Sequence, residues 1–164
     1  MKWKWMCALL VATLGAGVYA GDVMATPSSG VTTTVLARSV AGSLQISGEQ
    51  VSPQWHALVK TDGTTDLYVV DNQFAPGSST GWHTHPGPSL ILVASGQVTN
   101  YFGNDPTCTG QTYRAGQSFI DPGGATIHDV RNETGEPAET IAVQLLPKDA
   151  PRKIDEPAPG NCPF

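Results

Sequence analysis

Charge is scarce in this chain of 164 residues: 14% are Asp, Glu, Lys or Arg, where a quarter is usual. That deficit excludes a coiled coil, a helical bundle and a charge-rich disordered chain, all of which draw heavily on Glu and Lys. The nine basic residues are scattered, without a basic run or basic–aromatic interleaving. With a net charge of −5, no patch is left for nucleic acid or for an anionic membrane surface. One motif is missing too: without C-x-x-C there is no redox or zinc pair of that spacing.

What the chain has in excess is turn residues. Its 18 glycines and 13 prolines make up about 19% of the sequence, against an average near 12%. Many turns and few helix formers predict short strands joined by tight loops, an all-β chain. The length suits one domain, large enough to bury a core without staples.

The first 25 residues stand apart from the fold. Lys2 and Lys4 precede an uncharged apolar stretch over residues 6–20, and small-residue cleavage sites end at Ala20 and at Ala25. This is the layout of a secretory signal peptide. About 15 apolar residues fall short of the roughly 20 needed for a membrane span. Cys7 lies inside the apolar stretch rather than at its end, which does not fit a lipoprotein anchor. Cleavage after Ala25 is preferred, giving residues 26–30 as a polar, flexible start, and the exported chain then has no membrane attachment. Losing Lys2, Lys4 and Asp22 takes the charge from −5 to −6.

Export leaves two cysteines, Cys108 and Cys162, and an oxidising compartment favours joining them. Cys108 sits in a turn-like stretch and Cys162 close to the C-terminus. Their bridge would tether residues 147–164, whose Pro147, Pro151, Pro157 and Pro159 bar a central strand and predict a surface wrap. The organisation expected is a leader over 1–25, a barrel over 26–146 and this wrap.

Strand signals run through the rest. Residues 31–36, 55–59, 66–70, 89–93, 97–102, 117–120, 126–131 and 140–146 are rich in β-branched and aromatic types. Residues 61–64, with Asp62-Gly63, read as a hairpin turn joining 55–59 to 66–70. Short strands at about ten-residue spacing predict a sandwich or barrel.

The histidines carry the chemistry. His83 and His85 are two apart, and on a strand that spacing sends both imidazoles to one face, where they can share an ion. A third histidine on a neighbouring strand would complete a facial site for a divalent metal such as Fe, Zn, Mn, Cu or Ni. His56 has no such setting and reads as an ordinary strand or surface residue. Gln97 and Gln144 lie in apolar strands and could face a cavity. Asp121, the nearest acidic residue, falls at a strand end that alternation leaves open in facing, whereas Asp129 follows His128 and should point away from it. Trp82 and Trp55 fit the core or a pocket rim.

Glycine and proline spacing around the histidines is more specific. Gly77 is followed by five residues, His83-Thr84-His85, three residues, Ser89, six residues and Gly96. Gly116 is followed by five residues, Pro122-Gly123-Gly124, three residues, His128, three residues and Asn132. These stretches resemble the two motifs of the cupin superfamily, and the whole chain resembles a small secreted bacterial single-domain cupin. The resemblance implies a double-stranded β-helix, or jelly-roll barrel, with a metal on His83, His85 and His128 in its mouth. Ser89 stands where the family has a glutamate ligand, and a neutral hydroxyl is a poor substitute. Three residues, not two, separate Gly124 from His128. Asn132 would satisfy backbone groups at a strand end.

Three readings follow. One is a secreted small-molecule metalloenzyme, dioxygenase- or isomerase-like, with open metal positions for substrate or dioxygen. Another is a non-catalytic barrel that binds a small ligand or a metal. A third is a homodimeric structural barrel.

Overall fold

A computed structural model describes residues 24–48 and 57–164. The leader expected over 1–25, apart from Met24 and Ala25, and both His56 and Trp55 lie outside the described residues. Those residues contain twelve strands and no helix.

Two antiparallel sets of five strands form the barrel. One runs β1 (Ser29–Ala41), β4 (Thr65–Ser79), β11 (Ala138–Pro147), β6 (Ser89–Ser95) and β9 (Ser118–Asp121); the other runs β12 (Ile154–Asp155), β5 (His83–Thr84), β10 (His128–Arg131), β7 (Gln97–Phe102) and β8 (Gln111–Arg114). The sets join where Ser79 at the end of β4 pairs with Arg131 of β10. A separate ribbon pairs β2 (Gln45–Ser47) with β3 (Leu58–Lys60).

Period-two patterning decides which side chains enter the barrel. Along β11, Ala138, Thr140, Ala142, Gln144 and Leu146 are buried while their neighbours are half-buried. Along β6, Ser89, Ile91 and Val93 are buried, and Leu90 and Leu92 face out. The inward residues join Tyr68, Val70, Phe74, Val98, Phe119 and Val130 in one core.

The hairpin expected at residues 61–64 is not made. β3 pairs with β2, and β4 instead pairs along its length with β1 on one side and β11 on the other. Both edges of β4 are thereby taken, so residues 58–60 have no ladder to join. Nor is the start at residues 26–30 loose. The Trp82 amide donates to the Thr26 hydroxyl, the Thr26 amide donates to the Glu156 carbonyl, and Ser29 already opens β1. Several strands were too short or too polar to signal themselves, among them β2, β8 and β12.

Candidate metal centre

The two motif stretches place their histidines by direct pairing: His128 of β10 lies opposite His83 of β5. His85 follows β5, in the loop of Pro86, Gly87 and Pro88. That loop packs against the second motif's turn so closely that a Cβ on Gly123 (φ 72°) would meet the Gly87 carbonyl oxygen at 2.4 Å. Glycine is required there for both its backbone angle and its missing side chain. The Gly124 amide donates to the His85 carbonyl, fixing one loop on the other.

The three imidazoles converge. One ring nitrogen from each of His83, His85 and His128 lies within 4.8 Å of the others, and the ring centroids are 4.3 to 5.6 Å apart. His83 and His128 are buried and His85 is 9% exposed. In every ring Nδ1 faces an acceptor. His83 Nδ1 meets the Gly81 carbonyl at 2.8 Å, His85 Nδ1 the Arg152 carbonyl, and His128 Nδ1 the Asn100 side-chain carbonyl at 3.1 Å. Carbonyl oxygens only accept, so Nδ1 carries the proton and Nε2 keeps its lone pair. His128 Nε2 is buried without a hydrogen-bond partner. Orientation of each ring by a carbonyl acceptor is the support that metal-binding histidines require.

Electrostatics favour the same state. Burial, reinforced by the neighbouring His85, pushes the His83 imidazole down to about 3. Burial is also the main reason that His128 lies well below the ordinary histidine value and that His85 is lowered. Neutral imidazoles with free Nε2 atoms suit a divalent cation.

The rings line a cavity of about 280 Å³ whose walls also include Val70, Phe74, Ile91, Phe119, Val130 and Ala142. Gln144 and Ser89 also reach it, with Gln144 Nε2 donating to Ser89 Oγ at 3.2 Å. Gln97 does not; it is half-buried on β7, opposite Arg114. Asp129 turns away, its carboxylate accepting from Ser79, Thr80 and Arg131. Asn132 donates to the carbonyls of Ala75 and Glu136. Trp82 is buried and stacks on Phe164.

Of the site's polar residues, Asn100 escaped the sequence reading, and Asp121 was seen at a strand end with its facing left open. Asn100 shares its strand face with Val98, and a polar residue at such an inward position was the available signal. Asp121 continues the inward alternation of Phe119, but the expected strand stopped at Ile120. The carboxylate is fully buried, and that burial raises its pKa against the opposing Gly123 amide. The carbonyl of Arg152 holds His85 from the backbone, so side-chain identity could not have announced it.

No curated protein matches the chain. The Cupin domain family matches residues 71–144, a stretch holding all three histidines. Similar solved structures include a double-stranded β-helix protein of Klebsiella pneumoniae, 26% identical over 55% of this chain and 75% of that one, with a TM-score of 0.46. An oxalate oxidase is 22% identical over 54% and 45% of the two chains, at 0.47. The polyketide cyclase RemF of Streptomyces resistomycificus is 17% identical over 54% and 59%, also at 0.47. The family match, the two spaced motifs and the ten-stranded antiparallel barrel make this chain a member of the cupin superfamily.

Proposed function

We propose that this cupin is an exported small-molecule metalloenzyme in which His83, His85 and His128 hold a divalent ion in the wall of the apolar cavity. One observation carries the reading: one ring nitrogen of each histidine lies within 4.8 Å of the others, while all three Nδ1 atoms face carbonyl oxygens. Hydrogen-bonded donors would disperse the Nε2 lone pairs; a cation gathers them. A bound divalent ion would supply Lewis acidity to a ligand's oxygen or to water.

The chain's own residues do the rest. The apolar walls select a small ligand with a largely apolar body, since the volume lies near the lower end for small-molecule pockets. Gln144 and Ser89 offer polar contacts on the wall beside His85. The carbonyls of Gly81 and Arg152 and the amide of Asn100 keep the rings from turning. Export through the leader of residues 1–25, ahead of a barrel over 26–146 and a wrap over 147–164, belongs to the same proposal. The Cys108–Cys162 disulfide supports it, because such bridges persist in oxidising compartments.

Metal analysis of the chain purified without chelator tests the site. Close to one equivalent of a divalent metal is expected, lost in His83→Gln and His128→Gln. Trace metal unaffected by those changes refutes it. The iron-loaded chain is expected to consume dioxygen in the presence of a small diketone or thiol. Stoichiometric metal and ligand binding without turnover would make the protein a non-catalytic binding module.

A further inference from the structure

Ser89 and Asp121 are direct cross-strand partners, the first residue of β6 against the last of β9. Both are fully buried on the inner face, so the carboxylate missing at Ser89 has a counterpart one strand away. Asp121 Oδ2 lies 3.6 Å from His85 Nε2 and 3.7 Å from His128 Nε2. It has no hydrogen-bond partner, whereas Oδ1 accepts from the Gly123 amide at 3.0 Å.

Those distances are too long for hydrogen bonds. They are close to what a shared ion imposes: two donors each ~2.1 Å from one centre lie ~3.0 Å apart at right angles and ~3.4 Å apart at the tetrahedral angle. The Nδ1 protons of His85 and His128 are already directed to Arg152 and Asn100. Asp121 Oδ2 and the two Nε2 atoms therefore meet as three acceptors without a proton among them. Packing acceptors together in a buried space is unfavourable unless a cation lies between them.

The geometry points to Asp121 as a fourth metal ligand of this chain. This rests on the three-histidine metal reading above. The carboxylate moves from β6, where Ser89 now stands, to the facing position on β9, and the donor set becomes three neutral imidazoles and one carboxylate. The Gly123 amide holds the other carboxylate oxygen and so aims Oδ2 at the histidines. The tight Gly87–Gly123 approach brings that amide into place.

Cobalt(II) titration of the chelator-stripped chain tests the assignment, with Kd and the visible absorption spectrum as readouts. Asp121→Asn keeps the side chain's volume and the contact to Gly123, and is expected to weaken cobalt binding about tenfold or more and to change the spectrum. Ser118→Ala, at the exposed start of the same strand β9, is expected to leave both unaltered. If the wild-type chain takes up no cobalt, the metal reading fails and this assignment with it. If the wild type binds while Asp121→Asn matches it in Kd and spectrum, the assignment alone is overturned. Should Asp121→Asn not fold, a crystal structure of the cobalt-loaded wild type decides. Asp121 Oδ2 within ~2.2 Å of the ion supports the assignment, and a separation beyond ~3 Å overturns it.

Discussion

Burying three imidazoles in one place makes the metal-free protein sensitive to acid, and His83 gives the effect a size. In the unfolded chain its ring takes up a proton near pH 6.5, but in the fold not until about 3. Between those values the unfolded state binds more protons, so folding stability falls as pH drops through 6.5 and continues to fall toward 3. At pH 7.5 the contribution is negligible. At pH 5 it is about 2 kcal/mol from His83 alone, taking 1.36 kcal/mol per pH unit, against a total stability of roughly 5–15 kcal/mol for a domain. His128 acts in the same direction, while the raised Asp121 carboxyl acts against it. The measurement is therefore a comparison: urea unfolding of wild type and His83→Gln in chelator at pH 7.5, 6.5, 5.5 and 5.0. The wild type should lose about 2 kcal/mol more than the variant over that range. Parallel pH profiles for the two proteins would refute the reasoning, because His83 would then be protonated equally well in the folded and unfolded states.

Other perturbations probe the supports of the site. Gly123→Ala must force a Cβ against the Gly87 carbonyl at a positive φ and is expected to lose about 2–3 kcal/mol in urea unfolding; Gly116→Ala, at φ 85° with open space around it, should lose only about 1 kcal/mol. Asn100→Ala removes the acceptor from His128 Nδ1 and should weaken cobalt binding about 10- to 100-fold in calorimetric titration. Replacing both Cys108 and Cys162 by Ser opens a loop of sequence separation 54 and should lower stability by about 4 kcal/mol by chain entropy, read from urea midpoints with and without reductant.

Much of the barrel was legible because alternation survives wherever one sheet face is buried. Residues 89–93, 97–102 and 140–146 fall inside β6, β7 and β11 almost to the residue. The histidine trio was legible for a related reason: turn glycines and Pro122 hold fixed distances from the histidines, and spacing is a property of sequence. What failed was pairing. Nothing local in residues 55–70 says that β4 will be covered on both edges by strands distant in sequence, so a turn signal at Asp62-Gly63 was read as a hairpin. Asp121 was visible but not placed: the expected strand ended at Ile120, and only inward alternation carried one residue further puts its carboxylate beside the histidines.

The C-terminal segment shows why a composition argument can place a stretch correctly and still undervalue it. Its prolines keep it out of the sheet interior, yet β12 pairs Asp155 with His83 and Ile154 with Thr84, covering the outer edge of β5. β5 has only two residues and pairs with β10 at a single position, so its placement depends on that cover. The segment also supplies the Arg152 carbonyl that orients His85. Beyond it, the Glu156 amide donates to the Trp82 carbonyl, Phe164 packs on Trp82 and Tyr101 under the Arg131 guanidinium, and Cys162 is bonded to Cys108. A proline-rich chain has less conformational freedom to lose on ordering than an ordinary one, and the disulfide removes more from the unfolded state. The wrap is thus a low-entropy strap whose inner side forms one wall of the histidine cluster, so the stability of the tail and the orientation of the site are one structural problem.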